Sequence, residues 1–132
     1  MDILYKMNAD LKTEDVQNVF RSSGIKRPVD DGNRIQRMIE NATLTVSAWH
    51  GDKLIGLARA ITDFSYCCYL SDLAVSKEYQ RNGIGRQLIE RVRSHLGEEV
   101  ALLLLSAPTA MEYYPRLGFE QTEKAFLIPR SI

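Results

Sequence analysis

The hydrophobic positions of this chain follow two different repeats, and their order along the sequence predicts a mixed α/β protein. Apolar residues recur at helical spacing in three segments, the clearest of which contains Leu88, Ile89, Val92 and Leu96. Segments rich in strand-forming residues precede, separate and follow these helices. The predicted order is strand, helix, helix, three strands, helix, strand, helix and strand. Such an order indicates a mixed sheet with helices on both of its faces.

The first half of the chain is predicted to contain a strand, two helices and a β-hairpin. Thr13 can cap the first helix, which Gly24 stops, and either Asp30 or Asp31 can cap the second. The short turn around Gly51 joins two strand-like segments and predicts the hairpin. The predicted ranges are 2–8 for the first strand, 13–23 and 31–40 for the helices, and 44–50 and 53–63 for the hairpin strands.

The second half is predicted to begin with a strand, 69–75, that leads through a glycine-containing loop into a helix. The continuous apolar run 100–106 is typical of a strand buried on both faces. The segment 109–112 has the spacing of a capping box, so a short helix is expected to begin there and to close at Gly118. A last strand is predicted over 120–129.

Length, charge and cysteine content narrow the classes of function. The 132 residues fit one domain covering residues 1–132, with Lys+Arg and Asp+Glu both at 17, so no net charge attracts nucleic acid or an anionic membrane. The longest apolar stretch, 100–105, is far shorter than the ~20 residues of a membrane span. Cys67 and Cys68 are adjacent, which gives neither a relaxed disulfide nor a metal-ligand spacing. We therefore expect a cytoplasmic protein without metal, nucleic-acid or membrane partners.

The segment from Gln80 to Gly85 lies between a predicted strand and a helix, and it is suited to hold phosphate. Successive backbone N–H groups at the opening of a helix bind anions, and Arg81 or Arg86 can add positive charge. The alternative is that Gly83 and Gly85 only make a tight turn. No Gly-Lys-Ser/Thr follows, and no acidic residue stands where a dinucleotide fingerprint needs one, so kinase and dehydrogenase functions are disfavoured.

Two segments resemble the signatures of one known family. Leu73-Ala74-Val75, followed by Gln80-Arg81-Asn82-Gly83-Ile84-Gly85, resembles the acetyl-CoA signature of the GNAT superfamily of N-acetyltransferases. The segment Ala110-Met111-Glu112-Tyr113-Tyr114-Pro115-Arg116-Leu117-Gly118-Phe119 resembles the second signature of that family, an aromatic pair that leads to Gly-Phe. The resemblance implies a GNAT-like acyl-CoA N-acyltransferase fold, with a mixed, mostly antiparallel central sheet flanked by helices on both faces.

The resemblance also implies that acetyl-CoA is the co-substrate and that no metal is needed. The strand backbone at Leu73 and Val75 would pair with the pantetheine arm, and a main-chain N–H would bind the thioester carbonyl. The glycine loop would hold the diphosphate, and Ser106 could hydrogen-bond CoA. The implied cofactor-binding residues are Leu73, Ala74, Val75, Gln80, Arg81, Asn82, Gly83, Ile84, Gly85, Arg86 and Ser106.

The implied reaction is transfer of an acetyl group to a primary amine, which is mostly protonated at neutral pH and must lose a proton before it attacks. Tyr114 matches the tyrosine that protonates the departing thiolate in the family. The position of the glutamate base in some relatives corresponds most nearly to Tyr69, so the base is open: Asp72, or water relayed by backbone carbonyls, Tyr69 or Ser71. Strand alternation places Leu70, Asp72 and Ala74 on the face opposite Tyr69, Ser71, Leu73 and Val75.

Two other functions remain open from the sequence. A non-catalytic acyl-CoA-binding or regulatory module would keep the phosphate loop without a productive acid and base. A partner-binding domain would use no cofactor at all. Homodimers are common among such folds, so a second copy of the chain is considered as a partner beside acetyl-CoA and the amine.

Overall fold

The computed structural model describes residues 2–132 and contains one five-stranded sheet. The strand order is β1-β2-β3-β4-β5, in which the first four strands are antiparallel neighbours and β5 runs parallel to β4. The bounds are β1 Leu4–Met7, α1 Thr13–Ser23, α2 Gly32–Glu40, β2 Leu44–His50, β3 Lys53–Thr62, β4 Cys67–Val75, α3 Ile84–Leu96 and β5 Ala101–Leu103. The predicted mixed, mostly antiparallel sheet is confirmed.

Helices cover both faces of the sheet, as predicted. One core is formed by α3 against the strands, with Leu88 and Val92 fully buried. The second core is formed by α1 and α2, with Val16, Phe20 and Ile35 fully or almost fully buried. Burial of side chains of this size stabilises the fold by roughly 1.5–3 kcal/mol each. These two cores fix α1, α2 and the start of α3 relative to β4.

The ends of the first two helices follow the capping residues only in part. Gly24 closes α1 in the left-handed conformation at φ 83°, as predicted. Thr13 is the first helical residue and makes no side-chain cap, because the cap position is Lys12. Of the two aspartates considered for α2, Asp31 is the cap, and its carboxylate accepts a hydrogen bond from the backbone N–H of Arg34 at 3.0 Å.

Strand β4 does not keep the predicted alternation, because it contains a β-bulge at Ser71. Leu70 pairs with Ala60 and Asp72 pairs with Arg59, which leaves Ser71 as an extra residue. Leu70 therefore belongs to the core around α3, with Leu73 and Val75 packed against it, whereas Ala74 belongs to the core of α1 and α2. The prediction that Leu70, Asp72 and Ala74 share one face is wrong.

The segment after α3 is less regular than predicted. Strand β5 has only three residues and forms the sheet edge, with Leu103 and Leu105 45% and 49% exposed, so burial on both faces is wrong. Short 3-10 helices at Pro108–Ala110 and Tyr114–Leu117 replace the α-helix expected from Thr109. Pro115 has no N–H to donate to the carbonyl of residue 111, which prevents a continuous α-helix. Gly118 does end this region, at φ 96°.

Residues 120–132 form no strand in this chain, so the strand predicted over 120–129 is wrong here. The side chains of Phe126, Leu127 and Ile128 are 97%, 66% and 96% exposed. Within residues 2–132, no backbone–backbone hydrogen bond reaches this segment. The Arg34 guanidinium on α2 donates a hydrogen bond to the Ile132 carbonyl at 3.3 Å.

The two cysteines occupy different environments at the start of β4. The side chain of Cys67 is exposed, that of Cys68 is buried, and both thiols are free. Burial raises the pKa of the Cys68 thiol. Among residues 2–132, no group of three His, Cys, Asp or Glu side chains is placed to bind a metal ion, and none of the described helices is long and apolar enough to cross a bilayer.

Candidate active site

An opening lies between β4 and β5, because the two strands pair only over their first residues. The pairing runs from Cys67 with Ala101 to Tyr69 with Leu103, and β4 then continues alone on that side to Val75. Backbone groups of β4 beyond Tyr69 that point to this side have no strand partner in the described chain. This is the strand edge at which Leu73, Ala74 and Val75 were predicted to bind a co-substrate.

The loop between β4 and α3 presents a row of unpaired amides. Among residues 2–132, no acceptor is found for the backbone N–H groups of residues 81–86, and the first paired amide is that of Gln87, which donates to the Gly83 carbonyl at 3.1 Å. Gly83 is the N-cap residue of α3 at φ 77°, in the region that glycine adopts without strain. Six adjacent N–H groups at a helix opening favour an anionic ligand with several oxygens.

Two side chains of this loop hold its shape rather than pointing to a ligand. The Gln80 amide donates to the Val75 carbonyl at 2.8 Å and so connects the loop to the end of β4. The Asn82 amide donates to the carbonyls of Tyr79 and Gln80, both at 3.1 Å. Gln80 and Asn82 were predicted as binding residues, and the geometry gives their side chains a supporting role.

Arg81 and Arg86 flank the unpaired amides and supply the only positive side chains of the segment 80–86. Arg81 is exposed and has a left-handed backbone, φ 66°, which is unusual for a residue other than glycine. The Arg86 guanidinium donates to the Arg116 carbonyl at 3.4 Å, which brings the second signature beside α3. Ile84 is buried, so only its backbone faces the loop.

Tyr114 stands beside this region with its ring packed and its hydroxyl unpaired. The ring makes edge contacts with Tyr113 and Phe119, with centroids 5.2 and 5.6 Å apart. No hydrogen bond to the hydroxyl is found among residues 2–132. Burial raises the pKa of Tyr114 above 10, Tyr113 adds to this, and the positive charge of Arg27 opposes it. The phenol therefore carries its proton at neutral pH.

Asp72 is fully buried and bound by two guanidinium groups. Arg27 Nε donates to Oδ1 at 2.5 Å, and Arg59 Nε donates to Oδ2. The same two arginines also bind the bulged residue: Arg27 donates to the Ser71 carbonyl at 2.7 Å and Arg59 to the Ser71 hydroxyl at 3.0 Å. Both carboxylate oxygens are thus occupied by charged partners.

Sequence reasoning identified Asp72 but missed Arg27 and Arg59. A carboxylate inside a strand requires a charged partner, and the hairpin register, in which Arg59 lies opposite Asp72, was the available signal for one of them. Arg27 lies 45 residues away, in the connection between α1 and α2, and no local pattern reveals it. Ser106 follows β5, and its hydroxyl donates to the Ala107 carbonyl at 2.8 Å, so its contact with CoA stays a prediction.

Comparison with known proteins agrees with this geometry. A family profile described as an acetyltransferase (GNAT) domain matches residues 10–127. The chain belongs to the GNAT acetyltransferase family. The matched range includes the unpaired β4 edge, the amide loop and Tyr114. The family that the two signatures predicted is therefore confirmed.

Several relatives of this GNAT chain are longer proteins. It is 39% identical over 70 residues to GCN5-related N-acetyltransferase 2, chloroplastic, of Arabidopsis thaliana. This alignment covers 52% of this chain and 27% of that protein. It is 28% identical over 132 residues to histone acetyltransferase TAP1 of Glycine max, across 89% of this chain and 56% of the relative. The chain thus spans about a quarter to about half of these relatives.

Solved structures share the GNAT fold over nearly the whole chain. A probable acetyltransferase from meticillin-resistant Staphylococcus aureus has 25% identity and a TM-score of 0.80, covering 96% of this chain and 100% of its own. The aminoglycoside N-acetyltransferase AAC(6')-Iy, solved with a CoA bisubstrate analogue, has 16% identity and a TM-score of 0.74, with both chains fully covered. At that identity the second likeness concerns the fold alone.

Proposed function

We propose that this protein transfers an acetyl group from acetyl-CoA to a primary amine by direct attack on the thioester. The observation that carries the proposal is the row of unpaired N–H groups at residues 81–86, flanked by Arg81 and Arg86. A diphosphate offers several anionic oxygens, which match a row of amides and a helix N-terminus. Solved neighbours that contain CoA or a CoA analogue support the same ligand.

The open edge of β4 supports a position for the rest of acetyl-CoA. An extended arm can add to an unpaired strand edge by main-chain hydrogen bonds, here at Leu73 and Val75. A main-chain N–H fixed at this edge would stabilise the negative charge that develops on the thioester oxygen. The bulge at Ser71 decides which of these amides point into the opening.

Tyr114 is the proposed acid that protonates the departing thiolate. Its raised pKa keeps the phenol protonated over the working range of pH, and its hydroxyl has no competing partner in the described chain. Asp72 is proposed to position its surroundings rather than to act as the base, because two guanidinium groups bind its oxygens. The amine then loses its proton to water relayed by backbone carbonyls, Tyr69 or Ser71.

The test is a steady-state assay with acetyl-CoA and spermidine, sisomicin, an amino acid, and peptides with a free N-terminus or a lysine. We expect turnover with at least one amine, and a kcat lower by roughly 10²-fold in Tyr114→Phe with little change in KM. The rate should rise with pH as the amine deprotonates, with no decline below pH 10.

Binding of CoA without turnover would instead support the regulatory module. No rise in melting temperature with CoA would support a partner-binding domain.

We also propose that the protein is a homodimer in which residues 124–129 of one copy pair with the β5 edge of the other. Phe126 and Ile128 stand two apart, as on one face of a strand, and both are almost fully exposed. Among residues 2–132, no strand pairs with the outer edge of β5, and the side chains of Leu103 in β5 and of Leu105 just after it are exposed. A second copy is favoured as the occupant because residues 120–132 of the same chain lead to Arg34 on α2 and make no hydrogen bond to β5. The cytoplasmic location stays a prediction from the sequence.

A further inference from the structure

We propose that Arg27 is a positioning residue for acetyl transfer, because it fastens the connection between α1 and α2 to the bulge of β4, directly before Leu73 on the strand edge proposed for the co-substrate. This inference rests on the proposed function. It assigns a role to a residue that lies outside both signatures, in the segment 24–31 that joins two helices.

The contacts of Arg27 join two distant parts of the chain. Its Nε donates to the Asp72 carboxylate at 2.5 Å, its Nη2 to the Ser71 carbonyl at 2.7 Å and its Nη1 to the Lys26 carbonyl at 2.6 Å. Two of these bonds reach β4 and the third stiffens the connection itself. The planar guanidinium makes such a set of bonds possible in one side chain, which an ammonium group cannot reproduce.

The anchor on β4 is rigid because Arg59 holds it from the other side. Arg59 is 7% exposed, and it binds Asp72, the Ser71 hydroxyl and the Met38 carbonyl. The side chain of Arg27 is 27% exposed, so it lies between this buried anchor and solvent. Asp72 is therefore held in place by Arg59 of β3, and its carboxylate is a fixed partner for Arg27 of the connection.

Arg27 also connects the Asp72 anchor to the strand edge at which acetyl transfer is proposed. Arg27 binds Ser71 and Asp72, the two residues that directly precede Leu73 on the open edge of β4. An open groove lined by residues 27–33 begins at Arg27. Without the bonds of Arg27, the connection and the groove that it lines would be free to shift relative to Ser71 and Asp72 of β4. Small displacements of positioning groups reduce rates strongly, because the reacting atoms must meet in a narrow geometry.

The other contacts of the connection cannot replace Arg27. Gln17 donates to the Val29 carbonyl at 2.8 Å, but Gln17 belongs to α1 and gives no link to β4. Arg21 and Asp30 form an ion pair at 3.2 Å whose side chains are 52% and 95% exposed. Exposed pairs of this kind contribute little to stability. Arg21→Gln is therefore a matched control, because it removes the ion pair of an α1 arginine with Asp30 of the connection.

The experiment compares Arg27→Gln, Arg27→Lys and Arg21→Gln by kinetics and by hydrogen exchange. With the best amine of the panel, Arg27→Gln should raise the KM for the amine by about tenfold and leave the KM for acetyl-CoA within twofold. Arg27→Lys should recover part of the loss, and Arg21→Gln should behave like the parent. Backbone amides of residues 25–31 should exchange faster in Arg27→Gln and not in Arg21→Gln.

A double variant tests whether Arg27 acts through Asp72. The amine KM of Asp72→Asn combined with Arg27→Gln should be no higher than that of the worse single variant. Each substitution breaks the same contact, between Arg27 and Asp72. Additive losses, equal losses for both substrates, or an unchanged amine KM in Arg27→Gln would overturn the proposal. If Arg27→Gln does not fold, Arg27→Lys alone decides, since an unchanged amine KM and unchanged exchange would also overturn it. Absence of turnover in the parent with every amine would reject the proposed function itself.

Discussion

The hydroxyl oxygen of Tyr113 lies 2.5 Å from the position that a Cβ atom on Gly85 would occupy. This relationship brings the second signature directly against the first helical turn of α3. Burial raises the pKa of Tyr113, and the neighbouring Arg86 partly offsets this effect. Gly85 therefore leaves room both for this side chain and for an anion that approaches the amides of residues 81–86.

We predict that Gly85→Ala weakens CoA binding about tenfold without unfolding the protein. The added methyl group displaces the end of the Tyr113 side chain and stands close to the amides that would bind the diphosphate. Alanine favours helix over glycine by roughly 1 kcal/mol, so the melting temperature of the free protein should not fall greatly. Isothermal titration with CoA and a thermal melt measure the two effects.

The double variant Gly85→Ala with Tyr113→Phe separates the two causes. If the lost affinity comes from crowding at the amides, removal of the Tyr113 hydroxyl will not restore it. Full recovery of CoA affinity in the double variant would show that displacement of Tyr113 is responsible. Unchanged affinity in Gly85→Ala alone would contradict a diphosphate site at this helix.

We predict that Arg81→Gly and Arg81→Ala weaken CoA binding equally but differ in stability. Both remove the charge, so both should lose about three- to tenfold in affinity, with a weaker dependence on salt. Only glycine relieves the left-handed backbone at φ 66°, which costs a residue with a side chain roughly 1–2 kcal/mol. The free Gly variant should therefore melt above the Ala variant. Equal melting temperatures would show that the loop carries no such strain.

The sequence predicted most elements whose signal is local. The hairpin, the two N-terminal helices and the loop before α3 follow from apolar spacing, turn residues and glycines, and they are found with bounds close to those expected. The bulge at Ser71 was not predictable, because an extra residue changes the direction of side chains without a fixed sequence pattern. The fate of residues 120–129 was not predictable either, since a strand needs a neighbouring strand as well as strand-forming residues.

Site residues in short local segments were predictable, and their partners from distant segments were not. Tyr114 and the loop could be proposed from the sequence because their chemistry is contained in short segments. The partners of Asp72 were missed because they come from β3 and from the connection between α1 and α2, and long-range ion pairs leave no mark on local spacing. Gln80 and Asn82 were predicted to bind through the backbone of the loop, and the hydrogen bonds of their side chains to the loop could not be read from the sequence.

We predict that Asp63 gives the protein a stability term that disappears in acid. The hydrogen bond from the Tyr66 N–H, followed by those from Ser65 and Cys67, lowers the pKa of this exposed carboxylate to about 2 from 3.8. Because the folded pKa is the lower one, the stabilisation is complete above pH ~5 and is lost as pH falls from about 4 to about 2. Asp63→Asn should melt below the parent at pH 6, and the difference should shrink at pH 2–3.

Asp10→Asn is the control for this titration. Asp10 is exposed, and no hydrogen bond to its side chain is found among the described residues. Its variant should melt at the same temperature as the parent at pH 6, because surface substitutions away from hydrogen bonds change stability little. A constant difference between Asp63→Asn and the parent from pH 6 to pH 2 would contradict the proposed origin of the effect.

We predict that Phe126→Ser combined with Ile128→Ser converts a dimer into a monomer. The two substitutions remove the apolar face that residues 124–129 would place on the β5 edge. Sedimentation velocity over a range of concentrations measures the change. Leu4→Ser, which replaces an exposed apolar side chain on the opposite sheet edge β1, should leave the assembly intact. A parent protein that sediments as a monomer at all concentrations would refute the interface.

The opposite environments of the two adjacent cysteines make the protein convenient for spectroscopy. A thiol reagent should modify Cys67 alone in the folded state, because Cys68 is 2% exposed and is kept protonated by burial. A single fluorophore could thus be attached without mutagenesis, beside the residue of β5 with which Cys67 pairs. Its emission would report from the sheet margin where a second copy is proposed to dock. The rate at which the Cys68 sulfhydryl becomes reactive would measure how fast the buried core opens.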